Sequence, residues 1–180
     1  LIKEGFNIID TNVLLRSPIS SLVYKKSDTL RVRKALDSDS DRESLLSIAY
    51  NGFSHDRFHA DPEISNEHAS QIKADWVMNY ILGKRGDLVL VIEDKKKIIQ
   101  GFLLLIVNEN SDCIIDLIAM DSSFRGKGAG TTIISAIHDF LPDTKDVYVG
   151  TQLSNYLSIN FYSKLGFKID ATTFMLHKHI

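Results

Sequence analysis

The stretch Arg125-Gly126-Lys127-Gly128-Ala129-Gly130 is where the residue types of this 180-residue sequence point most clearly to chemistry. It follows an apolar run, Cys113 to Met120, and leads into Ile133, Ile134, Ile137 and Leu141 at helical spacing, with Pro142 as the stop. Alternate glycines allow a sharp turn and a close backbone approach to a ligand. A helix opening there presents unpaired N–H groups and the positive end of its dipole. With the charges of Arg125 and Lys127 added, the expected ligand is a pyrophosphate. The stretch is not a Walker A loop, because Gly128 rather than Ser or Thr follows Lys127. Nor is it the Gly-x-Gly-x-x-Gly dinucleotide fingerprint, because Gly126, Gly128 and Gly130 are evenly spaced. A glycine-rich turn without a ligand is the plain alternative, and the run of small and cationic residues at a helix start weighs against it.

A second constellation lies further on: Asn155-x-x-Ser158-x-x-Phe161-Tyr162-Ser163-Lys164-Leu165-Gly166-Phe167. This motif and the Arg-x-x-Gly-x-Gly pattern from Arg125, in this order and spacing, resemble the GCN5-related N-acetyltransferases from about residue 30 to residue 180. Many members carry Ala where this chain has Ser158, a mild departure that leaves Asn155 and Tyr162 in place. The resemblance implies the acyl-coenzyme A N-acyltransferase fold and acetyl-coenzyme A as co-substrate. It places Arg125, Gly126, Lys127, Gly128, Ala129, Gly130 and Thr131 around the pyrophosphate. It gives the pantetheine arm and acetyl carbonyl the backbone of Ile118, Ala119 and Met120, with Asn155 on the pantetheine. Asn155 also suits a helix N-cap. The tyrosine at the position of Tyr162 is commonly the general acid. That role is chemically coherent: an amine attacks a thioester, a thiolate leaves, and a phenol of pKa about 10 can return a proton to a thiol of about 8.5.

The attacking amine must lose a proton. Strand alternation puts Asp116 on the face of Ile118 and Met120, which makes it a candidate base or water holder; a solvent-facing acid is the equal alternative. The acceptor is sought in Phe53-Ser54-His55-Asp56-Arg57-Phe58-His59-Ala60-Asp61-Pro62. Here Arg57 could clamp a diphosphate, Phe53 or Phe58 could stack on a base or sugar, and His59 could bind a hydroxyl or relay a proton. Loop capping and packing could account for some of them. With Thr151-Gln152-x-x-Asn155 and the ending Phe174 to Lys178, this stretch resembles the acetyltransferases of nucleotide-linked 4-amino-4,6-dideoxy sugars, the dTDP-fucosamine group. The acceptor implied is a small-molecule amine on a nucleotide sugar. Two rival functions stand beside it: acetylation of a protein, peptide or other small amine, and a non-catalytic acyl-coenzyme A-binding module.

The elements that must position these residues follow from pattern. Ser40-Asp41-Arg42-Glu43 reads as a capping box for a helix carrying Leu45, Ile48, Ala49 and Phe53. A second helix is predicted over 65–82, with Ala69, Ile72, Trp76 and Tyr80 as its stripe. Strands follow at 88–92, 98–107 and 113–120, then the glycine loop and its helix, a strand at 146–152, a helix at 155–165 and an extended end at 167–177. The fold class is α/β with a mixed sheet.

Composition limits the partners. Net charge −2 argues against nucleic acid and anionic membranes, and no apolar run is long enough to span a bilayer. The single cysteine, Cys113, fits strand packing and a reducing, cytoplasmic setting. No metal site is predicted, since His177-x-His179 is the only tight histidine pair. A homodimer is open as the assembly. Finally, Lys3-Glu4-Gly5-Phe6-Asn7-Ile8 with Thr11 and Leu15 matches Lys164-Leu165-Gly166-Phe167-Lys168-Ile169 with Thr172 and Leu176. Because the chain also starts at Leu1 without Met, residues 1–30 are expected to be the tail of a truncated, degenerate N-terminal copy, before a catalytic domain at 31–180. The dTDP-fucosamine group carries such an incomplete copy.

Overall fold

In the computed structural model, which describes residues 2–23, 25 and 27–179, seven strands form one mixed sheet. Leu1 and Ile180 lie outside the described residues. The strands are β1 (Asn7–Pro18), β2 (Leu30–Lys34), β3 (Leu88–Asp94), β4 (Ile99–Val107), β5 (Cys113–Met120), β6 (Asp146–Gln152) and β7 (Lys168–His177). The helices are α1 (Asp39–Gly52), α2 (Asn66–Ile81), α3 (Ala129–Ser135), α4 (Ile137–Phe140) and α5 (Tyr156–Lys164). The spatial order is β2-β3-β4-β5-β6-β1-β7. All neighbours are antiparallel except β5 and β6.

Two apolar layers hold the sheet. On one face Leu45, Ile48 and Ala49 of α1 and Val77 and Tyr80 of α2 cover Val91, Phe102, Leu104, Leu117 and Ala119. On the other, Ile133, Ile134, Ile137 and Tyr162 cover Val13, Leu15, Leu103, Ile115, Val147 and Val149. The predicted helices and the strands from Leu88 onward form. Their details differ in two places. Ser38, not Ser40, caps α1 by accepting from the Asp41 amide at 3.2 Å, because Asp41 is turned toward Arg33. On α2 the fully buried line includes Lys73, Ala74 and Val77, while Ile72 and Trp76 are half-buried, since the Trp76 indole turns to bond Asp116.

The N-terminal segment makes a strand of the same sheet. β1 lies between β6 and β7, pairs with both, and sends Val13 and Leu15, each 0% exposed, into the core. Pattern alone predicted no strand at β2, where Arg31, Arg33 and Lys34 dilute the apolar signal. Arg33 is nevertheless anchored: it grips Asp41 through both terminal nitrogens at 2.7 and 3.0 Å and Glu93 through Nε at 2.7 Å.

Two features of β5 and β6 open the site. Their parallel pairing extends only over Cys113–Ile115 and Val147–Val149, so β5 beyond Ile115 has no strand partner on that side. A bulge also sits in β5: Leu105 opposes Ile115 and Leu104 opposes Leu117, which leaves Asp116 as the extra residue.

Candidate active site

The glycine loop follows the unpartnered end of β5. Asp121 caps a 3-10 turn at Ser122–Phe124 and the backbone then turns through Gly126 (φ 74°) and Gly128 (φ 83°), which a side chain would strain. Nothing lies within 4 Å of where a Cβ on Gly126 would be, so this turn is open to a ligand. Gly130 serves packing instead: its Cβ would sit 3.0 Å from the Phe161 ring, so its smallness lets α5 close against α3. Ala129 is buried and Thr131 half-buried in the first turn of α3. The loop therefore fits the pyrophosphate of coenzyme A, through Gly126, Lys127 and the amides that open α3.

The cations are placed less simply than predicted. The Lys127 ammonium lies 4.8 Å from the Phe124 ring centroid, on the loop. Arg125 reaches across to donate from Nη2 to the Gly52 carbonyl at 2.8 Å, tying the loop to the end of α1. Lys25, for which the sequence holds no signal, brings Nζ to 2.9 Å from where a Gly128 Cβ would lie.

Tyr162 is buried in the α5 layer, 4% exposed, against Phe161 and Phe167 at centroid distances of 5.2 and 5.5 Å. Burial pushes its phenol well above the ordinary value, so the hydroxyl is held protonated. No protein group among the described residues hydrogen-bonds it. Asn155 caps α5, accepting the Ser158 amide on Oδ1 at 3.2 Å, and its Nδ2 makes no hydrogen bond among the described residues. Ile118 and Met120 pack on the α3–α5 layer and Ala119 on the α1–α2 layer, with their backbone along the splayed edge of β5.

Asp116 requires correction. The bulge turns it away from the face of Ile118 and Met120 and toward α2. There it accepts from Trp76 Nε1 (2.8 Å), the Tyr80 hydroxyl (2.8 Å) and Arg85 Nε and Nη2 (2.7 and 2.8 Å). Burial alone would raise its pKa, but these bonds, led by Arg85, hold it below the usual carboxylate range. So bonded, the carboxylate ties β5 to α2 and to Arg85 beyond its end.

The connection between α1 and α2 is divided between structure and site. His59 is also corrected: its Nδ1 meets Asp56 Oδ2 at 2.7 Å and its Nε2 meets Ser70 Oγ at 3.5 Å, with the side chain 7% exposed, so neither nitrogen faces a substrate. Phe53, Phe58 and Trp76 surround the buried Lys73 ammonium at 5.1 to 5.3 Å, with Asp56 3.7 Å away. Phe53 is thus loop packing. Phe58 has a second contact, the Arg57 guanidinium stacked at 4.7 Å.

Arg57 lines a cleft of about 410 Å³ whose other walls come from Phe6 and from β1 and β7. Asn12 and Thr173, paired across β1 and β7, lie in its lining with Phe6, Met175 and His177. Gln152, beside Asn12 in register, meets Met175 Sδ at 3.9 Å. The cleft thus joins the predicted Arg57 to the chain's final strand. None of its lining residues is a carboxylate.

Residues 49–167, from α1 through the glycine loop to the end of α5, match the model of the acetyltransferase (GNAT) family. The chain belongs to this family. It is also 28% identical over 140 residues to the spore coat polysaccharide biosynthesis protein SpsD of Bacillus subtilis (strain 168), a match covering 76% of this chain and 47% of SpsD. The chain thus spans about half the length of that relative. Solved structures share the fold: a conserved protein of unknown function from Staphylococcus epidermidis at TM-score 0.72 and 17% identity, covering 99% of this chain and 65% of that one. A GCN5-related N-acetyltransferase from Kribbella flavida superimposes at TM-score 0.63 and 12% identity, covering 98% and 61%. Members of the GNAT family use acetyl-coenzyme A, which supplies the activated acetyl group as a thioester. Among the described residues, no helix is long and apolar enough to cross a membrane.

Proposed function

We propose that this GNAT enzyme acetylates the amine of a nucleotide-linked amino-deoxy sugar, by direct attack on the acetyl-coenzyme A thioester with Tyr162 as general acid. The observation that carries the reading is the cleft bounded by Arg57 and His177, whose lining offers the Arg57 guanidinium and no carboxylate. A lysine side chain or a polyamine would meet repulsion there, whereas an acceptor with a phosphate-bearing tail would be drawn in. Similarity to a protein of spore coat polysaccharide biosynthesis supports a sugar acceptor.

The proposed roles follow from placement. Gly126, Lys127, Gly128 and the first amides of α3 hold the pyrophosphate, and the free edge of β5 at Ile118–Met120 receives the pantetheine and polarises the acetyl carbonyl. Asn155 Nδ2 is available to the pantetheine arm while Oδ1 caps the helix. The Tyr162 hydroxyl gives its proton to the departing thiolate, and the phenolate regains one from solvent. With Asp116 committed to α2, the amine's proton leaves by solvent in the cleft rather than by a dedicated carboxylate.

The matched repeat bears on the N-terminus. Lys3-Glu4-Gly5-Phe6 and Lys164-Leu165-Gly166-Phe167 both end a helical turn at a positive-φ glycine (82° and 100°) and enter neighbouring antiparallel strands. This supports reading the first thirty residues as derived from a second copy of the fold, now built into the catalytic sheet.

The test is an acceptor panel scored by free-thiol release from acetyl-coenzyme A. Nucleotide-linked amino sugars are expected to release thiol, and peptides carrying lysine or a free N-terminus are not. Release with peptides alone would replace the sugar reading, and tight coenzyme A binding without release on any amine would indicate a binding module.

A further inference from the structure

We propose that the end of the cleft between Arg57 and His177 is an anion subsite that holds the diphosphate of the acceptor, with Asp61 as the positioning residue for His177. This rests on the nucleotide-sugar reading above and locates the charged part of that acceptor.

Asp61, in the connection between α1 and α2, is 2% exposed. Its Oδ1 accepts the Glu63 amide at 2.9 Å, which suffices for the local turn. Its other oxygen is committed to the far end of the chain, where His177 Nδ1 and His179 Nε2 (2.9 Å) both meet Oδ2. Two residues apart in an extended segment, these imidazoles share one side. Burial would raise the Asp61 pKa, but the bonds from His177, the Glu63 amide and His179 keep it below the usual carboxylate range, so a full negative charge braces the pair. With Nδ1–H given to Asp61, His177 presents Nε2 to the cleft it lines, as a donor in its imidazolium form.

Phe58 acts as the spacer. The Arg57 guanidinium stacks on it at 4.7 Å, and the His177 ring centroid lies 6.2 Å from it. Two nitrogen bases from distant segments therefore flank one ring and border one cleft. Lys178 adds charge at the rim, with Nζ 5.5 Å from the ring of Phe6, itself a lining residue. A guanidinium fork beside an imidazolium N–H suits a diphosphate.

Length decides between binding and catalysis. The amine must approach the thioester where β5 and β6 part, near Gln152, Asn12 and Thr173. From Thr173 to His177 the strand advances on the order of 13 Å at ~3.3 Å per residue. That is too far for His177 to take the amine's proton, and it leaves room for a sugar ring between the reacting end and the charged end.

The test titrates the enzyme, already saturated with coenzyme A and held in EDTA, with UDP and dTDP by calorimetry. Filling the glycine loop first prevents the probe from reading the cofactor site. Binding is expected, and Arg57→Gln and His177→Gln are each expected to weaken it by roughly 10- to 100-fold, the loss of one charge-assisted contact. Asp61→Asn should weaken it as well, though Asp61 touches no ligand; if that variant does not fold, Arg57→Gln carries the test. In kinetics, Arg57→Gln and His177→Gln should raise KM for a nucleotide-linked amino sugar at least about tenfold more than they raise it for the uncharged methyl glycoside of that sugar. No nucleoside diphosphate binding, binding by both variants as tight as by wild type, or parallel KM rises for charged and uncharged acceptors would overturn the subsite. Binding that requires added Zn²⁺ would overturn it too, by assigning Asp61, His177 and His179 to a metal. If no amino sugar is acetylated but UDP binding behaves as stated, the nucleotide-sugar reading fails and the subsite stands.

Discussion

Tyr162 is the residue on which the proposed chemistry turns, and its environment makes a sharp claim. A phenol packed among Phe161 and Phe167 keeps its proton at neutral pH, and the proposed role requires the departing thiolate to be delivered against its hydroxyl. Tyr162→Phe is expected to lower kcat by about 10²- to 10⁴-fold with little change in KM for acetyl-coenzyme A, measured by thiol release. An unchanged kcat would remove it from the mechanism. Tyr162 and the positive-φ glycines 126 and 128 were legible in the sequence because a motif fixes both residue type and backbone demand. Asp61 and His177 were not, since more than a hundred residues separate partners that meet only after the sheet closes. His59 was misleading for the opposite reason: its partners Asp56 and Ser70 are local, and a polar loop can satisfy itself.

At the scale of elements, a single extra residue in β5 redirects a carboxylate. Strand alternation assigned Asp116 to the cofactor side, and the bulge, which hydrophobic pattern cannot reveal, gave it to α2. Its depressed pKa is also a stability statement. Such a carboxylate stabilises the fold above its unfolded-state pKa of about 3.9, and that contribution is lost as pH falls through the lower folded-state value. Asp116→Asn is therefore expected to cost about 1.5–3 kcal/mol at pH 7, seen as a lower urea midpoint, and the gap from wild type should narrow in acid below about pH 4. A gap independent of pH would contradict the ion-pair role. Cys113 behaves as predicted for a packing residue: it is wholly buried, and burial pushes its thiol up to about 12.

Across the whole molecule, the N-terminal segment is the part that sequence pattern placed least well. It reads as a tail because its partners, β6 and β7, lie at the other end of the chain, yet it fills the sheet between them. Leu15, 0% exposed, should then matter as much as any central residue: Leu15→Ala is expected to cost about 2–5 kcal/mol by urea unfolding, and a loss below 0.5 kcal/mol would mean β1 is dispensable. The net charge of −2 likewise conceals a local pattern, with Lys127 at the glycine loop and Arg57, His177 and Lys178 around the acceptor cleft. On the proposed reading, that pattern favours acceptors that carry phosphate. The direct measurement is kcat/KM, by thiol release, for a nucleotide-linked amino sugar, the same free amino sugar and a lysine peptide. The nucleotide-linked sugar is expected to exceed both by at least about tenfold; a peptide that equals or surpasses it would contradict the assignment.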